Sequence, residues 1–131
     1  HVAVRRQRQM CIRDRLPESY DGESFAADIL FDPSGKYLYA TNRGHESICV
    51  FRVSEKDGNL TYQEHVSSEG KFPWSLDISD HGELVLVANQ HSNNVVIFQR
   101  DLSHGSLAKL LEITDVESPV SARFLAISEA N

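Results

Sequence analysis

Lys36-Tyr-Leu-Tyr-Ala-Thr-Asn-Arg-Gly-His-Glu-Ser-Ile-Cys-Val-Phe51 reads as a strand, a short polar loop at Asn42-Arg43-Gly44-His45-Glu46, and a second strand. β-branched and aromatic residues, which fit a pleated surface, give way at the loop to residues that favour turns. A weaker copy runs Glu83-Leu-Val-Leu-Val-Ala-Asn-Gln-His-Ser-Asn-Asn-Val-Val-Ile-Phe98. The correspondence extends beyond these strands: Gly35 with Gly82, Asn42 with Asn89, Phe51 with Phe98, Gly58 with Gly105 and Leu60 with Leu107, each pair 47 residues apart. Short strands and turns recurring at such a period indicate a radial β-repeat, not a sandwich.

Working outward, Phe25–Phe31 is a short strand stopped by Asp32-Pro-Ser-Gly35, where Asp32 caps the turn, Pro33 presets φ and Gly35 takes the conformation that a Cβ disfavours. Strands are predicted over 36–41, 47–53 and 60–66, with a hairpin turn at Glu55-Lys-Asp-Gly-Asn59. A loop, Ser67-Ser-Glu-Gly-Lys-Phe-Pro73, leads to a second set over 74–78, 84–88, 94–99 and 107–113. A ninth strand is predicted over 120–127. Val85-Leu-Val-Ala88 and Ile29-Leu-Phe31 are apolar at consecutive positions, the pattern of inner strands covered on both faces. Leu60-Thr-Tyr-Gln-Glu-His-Val66 alternates, as an outer strand does. A four-stranded antiparallel unit at this period is a β-propeller blade. Residues 16–131 thus read as an all-β propeller fragment with blades at about 25–67 and 74–113 plus one extra strand. Since a ring takes roughly four to eight blades, the fragment is expected to need blades N-terminal to it.

The composition fits a folded chain: 131 residues, 40% hydrophobic, with 7 Gly and 4 Pro. No apolar run approaches the roughly 20 residues that span a bilayer, so no membrane partner is expected. With only Cys11 and Cys49, a disulfide framework is not expected and the reducing cytoplasm is the expected compartment. Cys49, inside the run Ile48-Cys-Val-Phe51, reads as a buried inert thiol. Residues 1–15 carry five Arg against one Asp, a balance of +4, while the remainder carries −10. This segment reads as foreign to the domain or disordered; a basic arm for nucleic acid is the other reading. The acidic body gives no reason to expect a nucleic-acid partner.

The repeat has no Trp-Asp pair ending a strand, as WD40 blades do, and no Gly-Gly pair of kelch type. It resembles the lactonase family of seven-bladed propellers, the 6-phosphogluconolactonase-like group. The matching segments are Leu16-Pro-Glu, Ala27-Asp28-Ile29, Asp32-Pro-Ser-Gly-Lys-Tyr-Leu-Tyr-Ala-Thr-Asn-Arg-Gly-His45, Ser47-Ile48, Phe51-Arg52, Gly70-Lys-Phe-Pro73, Ala88-Asn-Gln90 and Ser118-Pro-Val120. In order and spacing they look like the last third of that family. Trp74 departs from it, standing where the family commonly has Arg.

The resemblance implies opening of a phosphorylated sugar lactone, 6-phosphoglucono-lactone, to its acid, without a cofactor. Such hydrolysis needs a base to activate water and a cation or hydrogen-bond donor where the oxyanion develops. Of the family's His, Glu and Arg cluster only the Arg of the Asn-Arg-Gly motif has a match, so Arg43 is the implied catalytic and substrate-binding residue. Asn42, His45 and Gln90 are the further binding candidates. In a propeller the loop joining second and third strands shares a face with the loop entering each blade, which puts Asn42, Arg43, His45, Lys71, Trp74, Asn89, Gln90 and His91 on one rim. Blander readings stand beside these: Arg43 as a solvated loop charge, His45 as a loop-packing residue, Asn42 and Asn89 as turn residues in left-handed backbone, Trp74 as inter-blade core rather than a sugar stack. His81, His91 and His104 lie at no metal-like spacing, so no metal is expected, and His65 is expected to be exposed. Two other functions fit the same fold: a non-catalytic propeller binding a protein or carbohydrate, and a muconate-lactonising cyclase.

Overall fold

The structure is a computed structural model and describes residues 25–125. Its elements are all strands: β1 (Phe25–Phe31), β2 (Tyr37–Arg43), β3 (Ser47–Val53), β4 (Leu60–Ser67), β5 (Pro73–Ile78), β6 (Leu84–Asn89), β7 (Asn94–Arg100) and β8 (Leu107–Ile113). They form two four-stranded sheets, β1-β2-β3-β4 and β5-β6-β7-β8, and each strand pairs antiparallel with the next in sequence. These are the two expected units. Residues 1–15 lie outside the described residues, and so does the compositional break at Leu16.

The two-residue period of each strand divides the side chains between faces. Tyr37, Tyr39, Ile48 and Val50 of the first sheet meet Leu76, Val85, Val87, Val96 and Phe98 of the second in a single core. Burying each such aliphatic side chain contributes about 1.5–3 kcal/mol, so this shared core is what fixes one sheet against the other. Leu38, Ala40, Cys49 and Phe51 are buried on the other face of the first sheet. Leu86, Ala88 and Val95 take the far face of the second, where Val116, Ala122 and Phe124 pack on them.

A polar bolt crosses the same interface at the end carrying the β1–β2 turn. Arg100 donates from Nη2 to Asp32 Oδ2 at 2.6 Å, from Nε to Tyr39 Oη at 2.6 Å and from Nη1 to the Gly82 carbonyl at 2.9 Å. Tyr39 Oη in turn donates to the Gly105 carbonyl at 2.6 Å, and Tyr37 Oη to the Ser103 carbonyl at 3.0 Å. Gly105 has φ 73°, and a Cβ there would sit 2.5 Å from the Tyr37 ring, so both backbone and space require glycine.

Two expectations are corrected. Ile29–Phe31 is less fully covered than expected: Leu30 packs against one core and Ile29 against the other, both only half-buried, and Phe31 is 48% exposed. The strands that bury consecutive residues are the middle ones, β2, β3, β6 and β7. The ninth strand is absent over residues 120–125, and 126 and 127 lie outside the described residues. No strand pairs with this segment among the described residues. It lies along β5, with Phe124 N–H donating to Asp77 Oδ2 at 2.6 Å and Arg123 Nη1 to the Leu76 carbonyl at 3.3 Å.

Candidate functional site

β2 and β6 both end at the opposite end of the sheets from the Arg100 bolt. The turn after β2 is set by Glu46, which takes φ 59°, an unusual conformation for a residue with a side chain. Its carboxylate accepts the Gly44 N–H at Oε1 (2.7 Å) and the Phe72 N–H at Oε2, while its carbonyl accepts the Ser68 N–H at 2.9 Å. Asn93, 47 residues on, repeats the device: φ 54°, side-chain oxygen on Ser118 N–H at 3.0 Å, carbonyl on Val116 N–H at 3.1 Å. Each turn therefore grips the segment that follows its own sheet. The pairing of 46 with 93 was visible in the spacing, but Glu against Asn hid the shared role.

The left-handed backbone expected at Asn42 and Asn89 thus belongs to Glu46 and Asn93. Asn42 and Asn89 are strand residues, buried at 0% exposure, held by side-chain hydrogen bonds rather than by turn geometry. Asn42 Nδ2 donates to Ser47 Oγ (3.3 Å) and Cys49 Sγ (2.8 Å), and Asn89 Nδ2 donates to the Ser68 carbonyl at 2.9 Å. The Oδ1 atoms of both, and Ser75 Oγ, are buried with no hydrogen-bond partner among the described residues.

The 68–73 segment closes onto the β6–β7 turn: Gln90 N–H donates to the Phe72 carbonyl (3.0 Å), His91 N–H to the Lys71 carbonyl (3.1 Å) and Lys71 N–H to Ser92 Oγ (2.8 Å). At Gly70 a Cβ would lie 2.5 Å from Asn89 Nδ2 and from Ser92 Oγ, so the chain can pass only as glycine. Arg43 and Gln90 are counterparts, each following its buried Asn. Arg43 lies over Trp74, with Cζ 4.6 Å from the ring centroid, and 5.1 Å from the centroid of Phe72. Phe72 stacks on His91 at 4.1 Å and sits 5.8 Å from Trp74. Trp74 does not fill the inter-blade core: the register of β5 shifts between Pro73 and Ser75, and this bulge leaves the indole 37% exposed.

His45 is turned the other way. Its Nδ1 is 2.8 Å from Ser47 Oγ and its ring meets His65 of β4 edge-on at 5.4 Å. Burial, reinforced by His65 and opposed by Glu46, moves its pKa below the ordinary value, so the ring is neutral at pH 7. His65 is exposed, as expected. Of the four candidate residues, then, Arg43 and Gln90 flank the aromatic shelf, Asn42 is buried on the opposite face of β2, and His45 faces the outer strand. Positive charge at the shelf comes from Arg43, which suits an anion or a developing oxyanion.

Paired four-stranded sheets with one shared core, repeating every 47 residues, define a β-propeller whose loops gather at one rim. The chain belongs to the lactonase family of seven-bladed β-propellers, whose family model matches residues 5–124. That match begins inside the basic segment. A 6-phosphogluconolactonase from Formosa agariphila is 45% identical over 87 residues, 65% of this chain and 25% of its own length. A 6-phosphogluconolactonase from Bacillus subtilis is 31% identical over 118 residues, 90% of this chain and 34% of its own length. The chain therefore spans about a quarter to a third of these relatives. Among solved structures, the periplasmic gluconolactonase of Pseudomonas aeruginosa superposes with TM-score 0.81 at 32% identity, covering 86% of this chain and 31% of that one. A Lactobacillus plantarum protein superposes with TM-score 0.74 at 35% identity, over 79% of this chain and 30% of that one.

Proposed function

We propose that this chain supplies two blades of a sugar lactonase that opens 6-phosphoglucono-1,5-lactone to 6-phosphogluconate. In this reading Arg43 is the cation that faces the phosphate or the oxyanion, Gln90 hydrogen-bonds the sugar, and the base that activates water comes from blades N-terminal to this chain. No cofactor is needed, since ester opening requires only an activated water and a charge to meet the oxyanion. The observation that carries the reading is the guanidinium of Arg43 fixed over Trp74 at the rim, in a family of lactonases. A guanidinium so held is pre-aimed, and less entropy is lost when it forks onto two oxygens. We read the compartment as the cytoplasm, where the buried thiol of Cys49 suits reducing conditions. The remaining binding candidates, Asn42 and His45, act on this reading by shaping the strand end and turn that present Arg43.

The test is the hydrolysis rate of the seven-bladed protein on fresh lactone, corrected for spontaneous opening. Arg43→Ala is expected to lower kcat/KM by about 10²-fold or more, and Arg43→Lys to restore only part, since a point charge cannot replace the fork. His45→Ala is expected to change little. Full activity in a folded Arg43→Ala protein would remove Arg43 from the site. The 131-residue chain by itself is expected not to hydrolyse the lactone.

A further inference from the structure

Charge at the rim is accounted for by Arg43, but the outward-facing indole beside it is not. We propose that Trp74 is a stacking platform for the pyranose ring of an aldonolactone, so that the site reads the closed ring itself; this rests on the lactonase reading above. Pro73 and Ser75 on either side are buried, and Trp74 stands exposed at the point where the register of β5 shifts. Bulges next to binding sites commonly serve to re-aim one side chain.

The platform is rigid before any ligand arrives. Phe72, which braces it, sits at φ 64°, a conformation that costs a β-carbon-bearing residue free energy and persists only where its surroundings impose it. Both its peptide groups are held: the N–H by the Glu46 carboxylate, the carbonyl by Gln90 N–H at 3.0 Å. His91, Phe72, Trp74 and the Arg43 guanidinium then form one continuous shelf, with neighbouring centres 4.1, 5.8 and 4.6 Å apart. The chemistry of that shelf selects its occupant. An indole face is electron-rich and prefers the weakly positive C–H face of a sugar ring; one face of Trp74 carries the Arg43 guanidinium, so the sugar is assigned to the other, with its ring oxygens turned to the guanidinium donors past the indole edge. A 6-phosphate hangs off the ring and adds nothing to stacking on an indole face, so the platform's stacking is indifferent to phosphorylation. It is not indifferent to ring opening: the acid product is an open chain with no face to stack. Trp74 therefore holds the substrate and lets the product go.

The experiment uses the seven-bladed protein, with glucono-1,5-lactone and its 6-phosphate as substrates and glucono-1,5-lactam as a ring analogue that cannot be hydrolysed. Trp74→Ala is expected to raise KM for both lactones by about tenfold, with kcat within about threefold, and to weaken lactam inhibition by the same factor. Trp74→Phe, which keeps an aromatic face, is expected to recover most of this, and circular dichroism checks that both variants are folded. Unchanged KM and lactam affinity in a folded Trp74→Ala protein would overturn the proposal. So would a fall in kcat matching that of Arg43→Ala with KM unmoved, because Trp74 would then merely hold the guanidinium. Lactam binding is read independently from the fluorescence difference between wild type and Trp74→Phe. Saturable binding without hydrolysis would sink the lactonase reading and leave the platform standing. Hydrolysis with a Trp74-independent KM would do the reverse, and loss of both sinks both.

Discussion

Arg100 and Asp32 show what a single residue carries in this fold. Their side chains are 3% and 2% exposed, so the pair holds two charges out of water and depends on each partner. Burial raises the pKa of Asp32, but the Ser34 hydroxyl, the Tyr37 N–H and the Arg100 charge outweigh it and hold the carboxyl below its ordinary value. As pH falls, the unfolded chain takes up its proton first. The stability from Asp32 is therefore complete above about pH 4 and is lost as pH drops through the lower folded value. Arg100→Ala should cost about 3–5 kcal/mol at neutral pH by stranding the carboxylate, and urea melts should show that difference shrinking on acidification. Burial, opposed by Arg100, raises the pKa of Tyr39 to about 12. The unfolded phenol ionises near 10, so stability should also fall as pH climbs from about 10 to 12. None of this bolt was legible in the sequence. Arg100 falls just outside the strand predicted over 94–99, and its partners Tyr39 and Asp32 stand 61 and 68 positions away.

At the scale of elements, the strands were legible because their patterns are local: alternation, β-branched runs and Gly-bearing turns fix each one without reference to anything distant. What was illegible depended on neighbours. The 120–127 run is as strand-like in composition as 84–89, yet over 120–125 it has no pairing partner among the described residues and is not a strand. The Asn of the Asn-Arg-Gly motif invited a turn reading, while the turn is made by Glu46, whose carboxylate reaches 26 residues ahead to Phe72. That assigns Glu46 a larger effect than its half-buried position suggests. Glu46→Ala should lower stability by about 1–3 kcal/mol in thermal melts through loss of charge-assisted bonds to two backbone N–H groups. Asn93→Gly should be milder, because glycine relieves the left-handed strain while losing one neutral bond.

For the whole molecule, the 47-residue spacing foretold two like units and a single rim, and the rim residues do converge there. Which of them face a ligand was not foretold, because a bulge at Trp74 and the inward turn of Asn42 are one-residue events that periodicity averages away. The core common to both sheets predicts a further collective property. Amides of β2, β3, β6 and β7 should exchange with solvent through one shared opening free energy, whereas those of β8, most of whose residues are exposed, should open at lower cost. Two distinct exchange plateaus, one for each sheet, would contradict this. The two sheets are also fastened at both ends, by Arg100 on Asp32 at one and by Glu46 on Phe72 at the other. A door pinned along both edges cannot swing. Whatever the rest of a ring does, these two blades should move as one panel, and no opening should form along the seam between them.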